Sequence, residues 1–136
     1  MHKLDQFCAA WAPRLSSLLR FVAALVILQY ALTKLFGFPY LEGLANQPPF
    51  SLYWITGVIE LVFGGLMLIG LFTRFAAFIL SGEMAFAYFI EHAPHSFFPL
   101  LNEGNEAVLF CFIFLYFAAG GGGPWSVDAL LSRNKA

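Results

Sequence analysis

Hydrophobic positions in this chain do not alternate with polar ones; they run together in blocks of helix length. Four blocks stand out, at about Leu15–Phe36, Ser51–Phe72, Phe75–Glu91 and Glu106–Ala119. Roughly 20 apolar residues in helical form cover the hydrocarbon core of a bilayer, so the blocks predict membrane-spanning helices. The first block stops at Gly37 with Pro39 beyond it, and the fourth at Gly120-Gly121-Gly122-Gly123-Pro124; both are helix-stop signals. The uncharged centre of the first block, Phe21 to Thr33, is short, and Arg20 and Lys34 at its ends can snorkel toward opposite interfaces. No small-x-small cleavage pattern follows it, so it reads as a retained helix.

The link between the second and third blocks, Leu71 to Arg74, is short enough to force an antiparallel hairpin. The other links, Phe38 to Phe50 and His92 to Asn105, are rich in Pro, Asn and aromatic residues and predict ordered or interfacial loops. The expected fold is all-α: a transmembrane four-helix bundle forming one domain over residues 1–136. Lys3, Arg14, Arg20, Arg74, Arg133 and Lys135 fall on the tails and the short link, whereas the long loops carry no Lys or Arg. The positive-inside rule then predicts both termini in the cytoplasm, with Lys34 as the exception at the outer end of the first helix.

Composition agrees with the pattern. The chain is 60% hydrophobic and 11% charged, against about 45–50% and about 25% for ordinary soluble domains. That leaves too little polar surface to cover a soluble particle, and lipid becomes the expected surrounding. A net charge of −1 with no basic stripe gives no basis for nucleic-acid binding. Cys8 and Cys111 form no CxxC and fall at different depths, which argues against a disulfide.

The chemistry-bearing residues are few. Glu60 interrupts the second block and Glu83 the third. A carboxylate within a span costs a few kcal/mol or more unless it is protonated, paired or turned inward. Glu60 lies nine residues into its helix, about 13 Å by helical rise, and the hairpin brings Glu83 level with it. Gly57 and Gly64 share the face of Glu60, and Ala76 and Ala87 that of Glu83, so close helix approach points both acids inward. On the first helix, Arg20, Ala24, Ile27, Ala31 and Lys34 form one stripe. Lys34 falls at the depth of Glu106 and predicts an ion pair with it, while Arg20 and Arg74 can neutralise carboxylates or phosphates on the inner side. His92 and His95 are the only pair with any metal-ligand spacing; Pro94 lies between them, and the expectation is two solvated loop histidines and no metal. With no histidine inside a span, a haem held by two histidines is excluded, and no nucleotide-binding glycine loop follows a strand.

Several segments together resemble the DoxX family of small four-helix bacterial membrane proteins. They are Arg20 with the ending Lys34-Leu35-Phe36-Gly37; Gly57-Val58-Ile59-Glu60; the run from Gly64 to Arg74; Asn102 to Glu106; and Gly123-Pro124-Trp125-Ser126-Val127-Asp128. Where the family carries a compact Asn-Gly-Gly-Glu-like turn, this chain places Asn105 between Gly104 and Glu106. The resemblance implies a bundle in the bacterial plasma membrane, linked to quinone-coupled oxidoreductases or oxidative-stress complexes as a subunit without its own prosthetic group. The expected function is a subunit of a quinone-linked oxidoreductase, with Glu60 and Glu83 handling protons or hydrogen-bonding a head group and Lys34 and Arg20 balancing charge. The alternatives are a scaffold or lipid-binding bundle whose acids set helix packing, and an exporter component, for which a chain of this size would need to form a homo-oligomer.

Overall fold

The computed structural model describes residues 2–135 and is helical, with no strand among the described residues. Helix α1 runs His2–Phe36, α2 Leu52–Ile69 and α3 Thr73–Ala87. A single π turn, Tyr88–His92, and a 3-10 turn, Ala93–His95, extend α3. Then come a one-turn α4, Pro99–Asn102, the apolar α5, Asn105–Gly120, and α6, Val127–Lys135. Three segments are long and apolar enough to cross a membrane: α1, α2, and α3 with its extension to His95; α5 is apolar but shorter.

Helix α1 begins well before the expected Leu15. Its first turns, through Leu15, are exposed along their whole length, and the helix passes Pro13 without ending. An interior proline removes one backbone donor and crowds the carbonyl of the preceding turn, at about 3 kcal/mol, so the helix continues only where neighbouring contacts support it. Here they do: Phe7 lies against Trp11, ring centroids 6.2 Å apart, and the Arg14 guanidinium sits 5.1 Å from the Trp11 ring centroid. At its other end, Gly37 adopts a left-handed φ of 74°. The following loop then folds back, so that the N–H groups of Asn46 and Gln47 donate to the carbonyls of Thr33 and Lys34 at 3.1 and 2.8 Å. Orphan carbonyls at a helix end are thereby satisfied and the backbone of Lys34 is pinned.

Helix α2 starts on Ser51, whose hydroxyl accepts from the Trp54 N–H at 3.3 Å, and stops on Gly70 in the left-handed conformation. The link to α3 is only Gly70, Leu71 and Phe72. Phe72 has no capping side chain, so the first N–H groups of α3 need an acceptor from elsewhere. Asp128 of α6 supplies it, with Oδ1 accepting from Phe72 N at 2.8 Å and Oδ2 from Thr73 N at 2.9 Å. In return, the Asp128 N–H donates to Gly70 O at 2.9 Å.

Arg20 completes this clasp. Its guanidinium is nearly fully buried and donates to Met67 O at 2.8 Å, to Trp125 O at 3.0 Å and to Gly122 O. It therefore ties α1 to the end of α2 and to the glycine run after α5. That run ends α5 as expected and also serves packing: a Cβ on Gly122 would come within 2.7 Å of Thr73 Oγ1. The early part of α1, the α2–α3 link and the C-terminal segment thus meet at one end of the molecule, and the two long loops meet at the other.

Between the ends, the core draws on Ala24 and Ile27 of α1, Met67 of α2, Ala76 and Leu80 of α3, and Phe114 and Phe117 of α5. Gly57 and Gly64 seat α2 on α1; a Cβ at Gly57 would lie 3.1 Å from Lys34 Cβ. The small-residue face beside Glu60 therefore faces α1. The predicted stripe on α1 is buried throughout.

Burial alone would raise the Asp128 carboxyl. The Thr73 and Phe72 N–H groups and the nearby Arg20 charge outweigh it and hold the group below its ordinary 3.8. Its stabilising contribution is thus present above 3.8 and is lost as pH falls through the lower folded-state value. Asp128→Ala should cost about 1 kcal/mol, the scale of a lost helix cap. The thermal midpoint in detergent should drop accordingly at neutral pH, and the gap to wild type should close in strong acid. An undiminished gap there would contradict the cap.

Candidate functional site

The end of the molecule opposite the clasp carries the buried chemistry. Glu60 and Glu83 are 1% and 9% exposed, so both acids point inward. Lys34, at the end of the α1 stripe, reaches them from the third side: its Nζ forms an ion pair with Glu60 Oε1 and donates to Thr56 Oγ1 at 3.1 Å. The Glu60 and Glu83 carboxyls stand side by side. The second oxygen of each is buried and meets no donor from another residue type among the described residues; the two carboxyls can hydrogen-bond to each other when one carries a proton. One ammonium and two carboxyls therefore share an apolar interior, with acceptor capacity left over.

This differs from the expected Lys34–Glu106 pair. Glu106 is exposed, and both of its oxygens accept from the Tyr30 hydroxyl at 2.9 Å. The reason is steric. Gly57 lets α1 and α2 close until the Lys34 stem lies on α2, which directs its ammonium toward Glu60, one helical turn further along. Glu106 remains in the same site on the far wall of a cavity of about 230 Å³. Lys34, Glu60, Tyr30, Tyr53, Glu91 and His92 also line it, with Ile27, Met84 and Phe110 as an apolar floor. A space of this size takes one ring-sized head group, somewhat below the range for whole drug-sized ligands.

Arg20 is not part of this site. Its guanidinium donates to backbone carbonyls at the opposite end, and the carboxylate that its charge acts on there is Asp128 of the clasp, so it acts as a fixed structural cation. Arg74 likewise donates to Ala119 O. His92 contributes to the cavity wall through its ring, with Nδ1 2.9 Å from Asn102 O, while His95 is exposed. Among the described residues no group of three or more His, Cys, Asp or Glu side chains is placed to hold a metal ion.

Three participants were not picked out from sequence as site residues. Tyr30 lies four residues before Lys34 and three after Ile27, on the same helical face, so the stripe itself carried the signal. Tyr53 read as an interfacial aromatic; it lines the cavity opposite Glu91. Asn102 is 4% exposed and organises the loop before α5. Its Nδ2 donates to Ser96 O at 3.0 Å and to Tyr88 Oη at 3.2 Å, and its Oδ1 accepts from Gly104 N at 2.8 Å. Gly104 is confined by Tyr88, whose Cε2 would lie 2.6 Å from a Cβ there. That turn sets where α5, and hence Glu106, begins.

Comparison with known proteins places these features in a family context. Residues 15–93 match the family model described as DoxX. A Haemophilus influenzae protein described as an uncharacterized protein is 38% identical over 135 residues, which cover 94% of this chain and 96% of that one. No solved structure matches.

The Lys34–Glu60 contact makes a direct prediction. Lys34→Met and Glu60→Gln should each destabilise by ~3 kcal/mol, because each strands the other charge. The double substitution should cost clearly less than the sum, whereas Lys34→Met combined with Glu106→Gln should be nearly additive. Unfolding in mild detergent checks both cycles; coupling to Glu106 instead of Glu60 would contradict the geometry.

Proposed function

The chain belongs to the DoxX family, and on that premise we propose that it is a membrane subunit of a quinone-linked oxidoreductase system which binds a quinone-class head group beside Glu60 and Glu83. The observation that carries this reading is the buried carboxyl pair: Glu60 lines the ring-sized cavity, and Glu83, against Glu60, lines the narrower space behind it. Buried acceptors without donors are costly, and the reduced form of the ring, whose two hydroxyls donate, relieves that cost, while the oxidised ring offers only acceptors. Reduction of a quinone takes two electrons and two protons. A partner oxidoreductase supplies the electrons; Glu60, on the cavity wall, exchanges protons with a ring oxygen, and Glu83 exchanges them with Glu60. Lys34 pairs with Glu60 and donates to Thr56, and its remaining N–H is available to a ring oxygen.

In this reading four spans form the bundle, with α5 as the short fourth span. Both termini face the cytoplasm of a bacterial cell and the protein sits in its inner membrane, since the clasp end gathers the arginines and the cavity end carries the acidic loops. The cavity then opens on the outer side, where Glu91, Glu103 and Glu106 at its wall connect it to water.

A second reading is favoured by one observation: the Lys34–Glu60 pair joins α1 to α2, as a purely structural register lock would. In a scaffold of that kind the acids set packing alone. The two readings part at Glu83, which is not in the ion pair. Glu83→Gln should leave the thermal midpoint close to wild type yet weaken binding of decylubiquinol, whose hydroxyls donate to the carboxyl pair, to protein in lipid nanodiscs by on the order of tenfold, the scale of a lost hydrogen bond to a charged group. Unchanged binding in Glu83→Gln and in the Glu60→Gln/Glu83→Gln double variant would leave only the scaffold.

A further inference from the structure

Behind the carboxyls lies a second, narrower space of about 50 Å³. It shares Lys34, Tyr53, Glu60, Met84, Ala87 and Glu91 with the main cavity. Its own walls differ in kind. Leu52 and Thr56 of α2 face Phe86 and Ile90 on α3 and its extension, and Glu83 closes the inner end. Leu52, Phe86 and Ile90 are 46%, 51% and 43% exposed. In a membrane-spanning helix pair, exposed apolar side chains of this kind face acyl chains. The main cavity, by contrast, is walled by Glu103, Glu106 and His92 from the loop end. The site therefore has an aqueous side and a lipid side, and Glu60 borders both.

We infer that the slot between α2 and α3 is a lateral portal that admits a lipid-dissolved ligand from the bilayer and holds its apolar tail, while its head occupies the main cavity. This rests on the reading that the cavity takes a quinone-class head group. The slot is too small to pass a ring as it stands, so the ring enters when the α2 and α3 walls part. The π turn at Tyr88–His92 lies just beyond Phe86 and includes Ile90. Single π turns of this kind inside helices are rare and occur frequently at functional sites. Met84 and Leu52, both unbranched at Cβ, line the slot and can swing aside without backbone strain. Once the head is seated, an alkyl or isoprenoid tail threads the narrow space, which fits a chain of methylene width.

The test uses two probes that differ only in the tail: decylubiquinol, and the same dimethoxy-methyl-hydroquinone head without a tail. Binding is measured on the full chain in lipid nanodiscs, corrected for partition into empty discs. Leu52→Trp and Ile90→Trp fill the slot; Phe112→Trp, on the exposed face of α5 and outside both cavities, is the control. The slot variants should bind decylubiquinol on the order of tenfold more weakly and the tail-less head as wild type does, which also shows that they fold. The control should bind both probes normally. If the slot variants weaken neither probe, or weaken both alike, the portal is overturned while head-group binding stands. If wild type binds neither probe, the quinone reading fails and the portal with it.

Discussion

The structure depends on one contact, the ion pair between Lys34 of α1 and Glu60 of α2 inside an apolar helix pair. Taking both charges out of water costs several kcal/mol each, and only close approach with further hydrogen bonds offsets that. Close approach is supplied by backbone geometry: Gly57 removes the side chain that would hold the helices apart, and the return of the 37–51 loop onto the carbonyls of Thr33 and Lys34 fixes the end of α1. Thr56 provides the extra hydrogen bond. Each of these features is small, but together they decide which carboxyl the lysine meets. They also leave Glu83 beside the pair with no cation of its own.

The opposite end uses different physics toward the same result. There, charges meet backbone groups instead of each other. Arg20 gathers carbonyls from the end of α2 and from the segment after α5, and Asp128 gathers N–H groups at the start of α3. Helix ends expose backbone groups that need partners, and in a membrane protein water is not always there to serve them. The clasp joins three chain segments that are far apart in sequence. With that end fixed, the cavity end can carry unsatisfied acceptors and a π turn without loss of the overall arrangement. Stability and chemistry are thus placed at opposite poles of the same helices.

Much of this was legible in the sequence because the governing signals are strong and local. Block hydrophobicity located the apolar helices, and the small residues around Glu60 and Glu83 told which way those acids point. The Arg20-to-Lys34 stripe fell on the buried face, as its spacing implied. What failed were choices between near-equal partners. Lys34 had two acids within reach, and helix separation, set by Gly57, decided between them; a depth argument along the membrane normal contains no information about lateral distance. Arg20 looked available for a ligand because backbone carbonyls leave no sequence signature as acceptors. The role of Asp128 was hidden for the same reason, since its partners are main-chain N–H groups of a remote link. Helix α1 continued past Pro13 because the contacts of Phe7, Trp11 and Arg14 support the turn. The family resemblance carried further than spacing could, and the match over residues 15–93 agrees with it.

Whether the acids serve structure or chemistry turns on what a structural role would require. A register lock needs one cation and one anion with their hydrogen-bonding capacity filled. Lys34 and Glu60 come close to that by themselves. Glu83 adds a second buried carboxyl that joins no ion pair, and the side chain placed to hydrogen-bond with it is another acid, Glu60, so the pair has one proton or one donor too few to fill its four oxygens. In an interior of low dielectric such a group is a net destabiliser, and replacement by an apolar residue of similar size would relieve the strain. Local rules of this kind are broken mainly where function demands it. The unfilled acceptors also lie at the junction of an acid-walled cavity and an apolar slot, where a ligand has its head in a polar setting and its tail in lipid. The energetic defect and the geometric opening coincide, and a bound head group that donates hydrogen bonds removes the first by filling the second.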